Sequence, residues 1–375
     1  MNKNKVAIAM SGGVDSSMAA KTLKDQGHDC LGIFMRLGIE RGCCDEDAAR
    51  KVCQKIGIKF YPIDVRAKFK KEVKDYFLSS YKKGITPNPC VKCNQLIKFG
   101  ELLKRTKALG CEYLATGHYL KITRLRQGYG GRGKIKNIYK LFRAKDSSKD
   151  QTYFLYNLTQ EQLKHILFPI GDLIKEKMKV DAKKNKLPHL KTESQDVCFL
   201  SGEHNKYLKN NLKLKKGLIK TLDNKVVGEH QGLPLYTIGQ RKGVEIGGIG
   251  PFYVVKKDFK TNTLFVTNNS NDQALSGLEL VAENINWISG RTPKMPFKCQ
   301  AVIRYRHKQI PCIINKITPS KKRGGLQRRT GCMVNTDKFL VKFSTPQRAI
   351  TPGQSVVFYK KDELLGGGTV KPSMV

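Results

Sequence analysis

Ser11-Gly12-Gly13-Val14-Asp15-Ser16-Ser17 stands between a short apolar run, Val6–Met10, and a stretch from Ser16 to Lys24 that can continue as a helix. A strand, a glycine-rich turn and a helix in that order let the backbone turn tightly and point several N–H groups into one concavity. The helix N-terminus adds partial positive charge, and the serine hydroxyls add donors. The expectation is a phosphate cradle. The plainer alternative, a glycine turn that only caps a helix, suits a lone glycine pair better than this whole string. The Gly-Lys-Ser/Thr ending of a Walker A loop is missing, so the cradle is of another type.

Outward from this loop, residues 5–120 keep alternating. Cys30–Met35 is apolar; Asp45–Ile56 has helical spacing, with Ala48, Val52 and Ile56 on one face. Ile58–Val65 reads as a strand, Lys68–Tyr81 as a basic helix, Cys93–Leu109 as another helix, and Tyr113–Thr116 as a strand leading into Gly117. That rhythm predicts an α/β fold with a doubly wound parallel sheet, the helices serving as crossovers. Residues 121–145 interrupt it with the glycine-rich, basic Gln127–Gly133, read as a hairpin insertion in preference to an RNA-binding segment. Helical spacing returns over Lys149–Gly171. Leu218–Gly228 and Phe252–Val266 look like short strands. From about 276 onward nearly everything is β: Gln300–Tyr305, Ile310–Ile314, Phe339–Phe343 and Ser355–Tyr359, with a basic loop at Ser320–Arg329. Close spacing of short strands predicts a small barrel. The expected division is 1–204 for the catalytic domain, 205–275 for a small central domain and 276–375 for the C-terminal β-barrel. No internal repeat is present.

Lys and Arg total 70 against 31 Asp and Glu, a formal net charge of +39. A lysine-rich proteome would raise acids as well, so the scarcity of acids points to a polyanion, and nucleic acid is the usual one. No long basic amphipathic helix or apolar span supports a membrane partner. The N-terminus runs straight into the first strand without a charged-then-apolar signal, and a cytoplasmic protein is expected. Eleven cysteines in such a chain read as thiols or ligands, not as a disulfide framework. Cys30, Cys53, Cys111, Cys299 and Cys312 sit among apolar neighbours; Cys43-Cys44 reads as a loop feature.

Three cysteines have unusual settings. In Thr86-Pro-Asn-Pro-Cys-Val-Lys-Cys-Asn94 the prolines fix an extended loop and place Cys93 at the start of the next helix. The helix N-terminus and nearby Lys92 and Lys98 would lower its pKa from about 8.5. Cys198 lies in Ser194–Leu200, where on its own it reads as a core thiol.

Taken together, and in order, these stretches resemble the tRNA-specific 2-thiouridylases of the N-type ATP pyrophosphatase superfamily. The resemblance runs through Ser11–Ser17, Phe34-Met35, Thr86–Asn94 with Ile97–Phe99, Ala115–Tyr119, Lys149–Tyr156, Leu167–Pro169 and Asp196–Phe199. It continues through Gly228–Gly232, Thr237–Gly243, Tyr253–Val255, Arg304–Arg306, Thr351–Gln354 and Gly366–Gly368, covering nearly the whole chain. It implies that ATP, with Mg²⁺, is split between its α and β phosphates to adenylate the C2 oxygen of the wobble uridine, which sulfur then replaces. No haem, flavin or NAD is implied. The family's ATP-binding positions fall on Ala9, Met10, Ser11, Gly12, Gly13, Val14, Asp15 and Ser16, with Met35 and Gly117. Cys198 matches the persulfide carrier and Cys93 its partner thiol, which implies a Cys93–Cys198 disulfide after turnover. Asn88, Pro89 and Cys90 match the segment at the target base. His118, Lys149, Asp150, Gln151, Arg304, Tyr305 and Gln354 match tRNA contacts. The implied partners are tRNAs of the Lys, Glu and Gln type and a cysteine desulfurase or a sulfur-relay protein.

One position departs from the pattern: Cys90 stands where many members carry Asp, an acid thought to help proton transfer. Cys90, Cys93 and Cys198 thereby become three thiols that could ligate a 4Fe–4S cluster with one iron open. A zinc site would want a fourth ligand, and a plain dithiol is the remaining alternative. Two rival readings make different predictions. An amide-forming synthetase of the same superfamily would not need Cys93 or Cys198. An RNA-binding protein with a relic loop would bind RNA without turning over ATP.

Overall fold

The computed structural model describes residues 4–39, 44–127, 136–188, 197–200, 204–244, 246, 251–317 and 337–372. Cys43, Ser194–Asp196, the basic loop Ser320–Arg329 and the glycines of Gln127–Gly133 lie outside the described residues.

Val6, Ala7 and Ile8 are fully buried because their strand, β1 (Lys5–Met10), packs on both faces, Ala7 in one apolar cluster and Val6 and Ile8 in another, and it has a parallel neighbour on each side, β2 (Asp29–Arg36) and β4 (Tyr113–Thr116). A strand covered on both faces reads as a continuous apolar run, and this one does. β3 (Lys59–Asp64) extends the sheet beyond β2. The hairpin strands β5 (Leu120–Gln127) and β6 (Lys136–Arg143) leave this sheet, and the short β7 (Ile166–Leu167) returns beside β4. The order β3-β2-β1-β4-β7 makes a five-stranded parallel sheet. The chain runs outward from β1 in one direction and from β4 in the other. The gap between β1 and β4 is therefore a topological switch point, where open α/β sheets hold ligands.

Helix α1 (Val14–Asp25) starts directly behind the glycine loop, and α2 (Glu46–Ile56) carries the chain from β2 to β3. The Asp45 carboxylate caps α2 by accepting from the Ala48 N–H at 2.8 Å, and Gly57 ends it in the left-handed region at φ 67°.

Lys149–Gly171, expected as helix, is mostly not one. It contains a three-residue turn at Thr152–Phe154, a single helical turn at Gln160–Leu163, and β7. Tyr153, Leu155, Tyr156 and Leu158 are all at most 3% exposed, a spacing that does not fall on one helical stripe. The Asn286 amide donates to the Tyr156 and Leu158 carbonyls at 2.6 and 3.0 Å, taking acceptors a helix would have used. Tertiary packing overrode the local period.

The middle sheet pairs β8 (Gly217–Thr221), β9 (Val226–His230), β10 (Tyr253–Asp258) and β11 (Thr263–Thr267) in the order β10-β11-β8-β9. The last sheet comprises β12 (Ser276–Trp287), β13 (Phe297–Val302), β14 (Ile310–Ile317), β15 (Lys338–Arg348), β16 (Ser355–Lys360) and β17 (Glu363–Val370). The β12–β17 pairing closes these six strands into a barrel. The hairpin β5–β6 attaches to it through β17, so the segment that breaks the α/β rhythm does so because it belongs to the barrel sheet. A side chain at Gly367 would meet the Tyr156 ring at 2.7 Å; close approach of the barrel to the Tyr156 segment accounts for glycine there. Among the described residues no helix is long and apolar enough to cross a membrane.

Candidate active site at the switch point

The glycine loop crosses the C-terminal end of β1. Gly12 has φ +83°, and a Cβ on it would sit 2.8 Å from the Asp45 carbonyl oxygen, so both conformation and space call for glycine. The Asp45 N–H donates to the Ser11 carbonyl at 2.9 Å, fixing the loop against the start of α2. Inside the loop, Ser16 Oγ accepts from the Ser11 N–H at 3.2 Å and donates to the Gly13 carbonyl at 3.0 Å, and Ser17 Oγ donates to the same carbonyl at 3.0 Å. From the other side, Gly117 at the end of β4 presses on the first turn of α1. A Cβ there would lie 2.7 Å from the Asp15 carbonyl carbon and 2.8 Å from the Ser16 nitrogen. The first-turn N–H groups of α1 lack helical acceptors and face this gap with the positive end of the helix dipole.

Asp15 is held from two directions. Tyr119 donates its hydroxyl to Oδ1 at 2.6 Å, and Lys175 reaches the same oxygen at 2.6 Å. Lys175 is only 3% exposed, a buried cation placed against Asp15 of the glycine loop. The sequence reading missed it, because it sits in the lysine-rich run Lys175-Glu-Lys-Met-Lys. The one available hint was a lysine in the first turn of a helix (Lys175–Lys184), where the dipole disfavours a cation.

The cysteine loop differs from expectation in one respect. Asn88 caps a helix that begins at Pro89, accepting from the Val91 N–H at 3.4 Å. Proline's fixed φ suits the first helical position, so the helix starts a turn earlier than expected. Cys90, not Cys93, lies in the first turn, and Cys93 follows where the helix widens to an i→i+5 pitch over Cys93–Leu102. Lys92 stacks on the Tyr76 ring at 5.4 Å, and Lys98 Nζ lies 3.4 Å from His118 Nε2. Cys93 is buried in an apolar cluster with Phe69, Phe77, Ile97 and Phe199, and Cys198 packs against that same cluster. Phe199 anchors the Cys198 turn, its ring edge-on to Phe77 at 5.3 Å and to Phe69 at 5.9 Å. Met35 packs against both this cluster and the one beside Ala9, linking the thiols to the strand that enters the glycine loop. Among the described residues no group of three or more Cys, His, Asp or Glu is arranged to hold a metal ion.

The cysteine loop is docked on the barrel. The Thr86 N–H donates to the Pro352 carbonyl at 3.0 Å, and Gln354 Nε2 donates to the Thr86 and Pro87 carbonyls at 3.0 and 3.2 Å. Asn88 Nδ2 donates to Ser355 Oγ at 3.4 Å. Asp150 is buried; its carboxylate accepts from the Ala144 N–H at 3.0 Å and the Thr152 hydroxyl at 2.6 Å, and burial pushes its pKa up. Gln151 Oε1 accepts from the Tyr119 N–H at 3.0 Å. His118 is buried against the Thr116 hydroxyl at 2.8 Å, and burial, with Lys98 nearby, holds its pKa well below the usual value. Arg304 is exposed. Lys149 and Tyr305 line a cavity of ≈ 420 Å³ at the seam with the barrel, together with Arg143, Tyr153, Arg306 and His307. Arg306 stacks on Tyr305 at 5.2 Å and takes a positive φ of 65°.

Comparison with known proteins gives matches along the chain. Residues 4–202 match the family model described as tRNA methyl transferase HUP domain, 205–268 the tRNA methyl transferase PRC-barrel domain, and 325–370 the aminomethyltransferase beta-barrel domain. The tRNA-specific 2-thiouridylase MnmA of Geobacillus thermodenitrificans is 40% identical over 380 residues, covering 98% of this chain and 95% of that protein. The protein of the same name from Clostridioides difficile is 41% identical over 388 residues, covering 100% and 99%. MnmA 2 of Thermoanaerobacter pseudethanolicus is 42% identical over 384 residues, covering 98% of each.

Proposed function

The chain belongs to the tRNA-specific 2-thiouridylase family, and from that premise we propose how its residues divide the reaction. It is an ATP-dependent enzyme that thiolates tRNA. Ala9–Ser16 with Met35 and Gly117 bind ATP, the first-turn N–H groups of α1 receiving the phosphates. The uridine O2 attacks the α-phosphorus, pyrophosphate departs, and the base loses its N3 proton as the C2 oxygen becomes a leaving group. Preorganised N–H donors stabilise charge on the departing pyrophosphate, and Lys175, held on Asp15, adds a fixed positive charge beside it. Mg²⁺ would arrive with the phosphates, and Asp15 is the loop carboxylate that could face it.

Sulfur comes from a cysteine desulfurase or relay protein as a persulfide on Cys198. Its terminal sulfur adds to C2, either directly or as sulfide released by Cys93, and AMP leaves. In both routes Cys93 attacks the Cys198 sulfur, the sulfur–sulfur bond breaks, and the two thiols end as a disulfide that a reductant must reopen. The observation that carries this reading is the packing of Cys93 and Cys198 on one apolar cluster that Met35 joins to the phosphate loop. Among the described residues no three Cys, His, Asp or Glu gather as metal ligands, which favours the dithiol route over a cluster held by Cys90, Cys93 and Cys198. Cys90, in the first helical turn, sits with Asn88 and Pro89 at the target base.

The wobble uridine of tRNAs of the Lys, Glu and Gln type is the substrate, reached in a single-stranded loop where unstacking is cheap. Lys149, Arg304 and Tyr305 meet the RNA around the seam cavity, where cations and tyrosines suit phosphate and base faces. Asp150, Gln151, His118 and Gln354 have polar atoms engaged within the protein and act as supports of that surface. The discriminating experiment is ATP–pyrophosphate exchange alongside thiolation in Cys93→Ser and Cys198→Ser. Exchange retained with thiolation abolished supports the reading; thiolation retained in either variant rejects it.

A further inference from the structure

β13 and β14 form a hairpin whose connecting loop carries Arg304, Tyr305, Arg306 and His307. Five residues before the exposed Arg304, the register sets Cys299 of β13 directly opposite Cys312 of β14. Their sulfur atoms are 3.6 Å apart. Both are free thiols, Cys312 buried and Cys299 half-buried against the barrel core. Nothing in the proposed reaction uses either of them.

We propose that Cys299 and Cys312 form a reversible disulfide that staples β13 to β14 under the loop of the RNA-side cavity. Directly opposed residues of an antiparallel pair have Cα atoms about 4.5–5.5 Å apart, inside the range of about 4.4–6.8 Å that a disulfide spans. The sulfur atoms therefore need side-chain rotation and a slight approach, not a rearrangement of the strands. Pro311, opposite Gln300, has no N–H to give the ladder, which leaves this part of the pair compliant. A two-thiolate metal site is the competing use of such a pair, but no third ligand gathers there among the described residues.

The oxidant is a small-molecule disulfide. The more accessible Cys299, as thiolate, attacks one of its sulfurs and expels one thiol, leaving a mixed disulfide. Cys312 then attacks the Cys299 sulfur and expels the second thiol. The protein gives up two electrons and two protons, and the small disulfide becomes two thiols. The hydrogen bond between the two sulfurs, followed by burial, raises the Cys299 pKa. Attack is therefore slow at neutral pH and quickens as the pH rises.

The inference rests on barrel geometry alone and survives or fails independently of the proposed function. The full chain would be equilibrated in glutathione buffers of graded oxidation at about pH 8, where exchange is faster, then alkylated and mapped by mass spectrometry. The expected result is a peptide pair linked through Cys299 and Cys312, reversed by dithiothreitol and absent in Cys299→Ser, which leaves Cys312 alkylated. Amide exchange of β13 and β14 should slow about tenfold or more in the linked form, since a short loop has been closed. The inference is overturned if both thiols are alkylated, or carry separate glutathiones, at the oxidising end of the series while other thiols of the same sample have oxidised.

Discussion

Gly117→Ala tests the placement of the phosphate loop with a single methyl group. Its Cβ would come within 2.7 Å of the Asp15 carbonyl carbon, short of ordinary contact at 3.4 Å by about 0.7 Å. Both crowded atoms are backbone in the first turn of α1, so no side-chain rotation relieves the clash, and either the loop or the end of β4 must move. Overpacking of this kind costs about 1–3 kcal/mol of stability, which at roughly 2–4 °C per kcal/mol lowers Tm by several degrees. The larger effect falls on chemistry, since a misplacement of about 1 Å costs on the order of 10²-fold in rate. We expect kcat/KM for ATP to fall by roughly 30- to 100-fold while KM for tRNA stays near that of the wild type. Gly228→Ala, whose Cβ would meet only ordinary contacts at 3.7 and 3.9 Å, serves as the control. Unchanged ATP kinetics in folded Gly117→Ala would refute the claim that β4 backs the phosphate loop.

Lys175→Met removes the buried cation from Asp15 and should lower kcat/KM for ATP by about 10²–10³, the usual effect of losing one preorganised electrostatic group; tRNA binding measured by filter retention should not change. Gln354→Ala deletes two hydrogen bonds that hold Thr86 and Pro87 on the barrel, worth about 1–3 kcal/mol together, and should raise KM for tRNA while leaving KM for ATP unchanged. His118 is buried and its pKa lies well below 6.5. As the pH falls below 6.5 the unfolded chain takes a proton that folded His118 refuses, so stability drops by up to ~1.4 kcal/mol per pH unit. His204, His230 and His307 are shifted the same way, chiefly by burial, and steepen the loss. Denaturant melts between about pH 7 and 5 should show the slope, and His118→Gln should reduce it.

What could be read in advance was local. β1 and the glycine loop announce themselves because an apolar run, a positive-φ glycine and a helix start fall within a dozen consecutive residues. What could not be read depends on distant partners. Lys149–Gly171 has helical spacing, yet its carbonyls bond to Asn286 and its tyrosines pack on the barrel. Lys175 looks like any other lysine until the fold buries it against Asp15, some 160 residues away. The hairpin β5–β6 reads as an insertion in the catalytic half because its partner, β17, lies at the far end of the chain. Cys93 was expected at a helix start because the Pro-Asn-Pro run looks like a loop; proline at the first helical position moved that start back to residue 89.

Sulfur transfer through Cys93 and Cys198 is the central claim, and a single turnover tests it most directly. Persulfide-loaded, iron-free protein would be mixed with ATP, Mg²⁺ and a substrate tRNA without external sulfur, then quenched for nucleoside analysis and peptide mapping. The predicted result is one 2-thiouridine per AMP formed and per pyrophosphate released, with a Cys93–Cys198 disulfide of equal amount. Thiolation that proceeds with both thiols still reduced, or that needs iron restored to the protein, would contradict it.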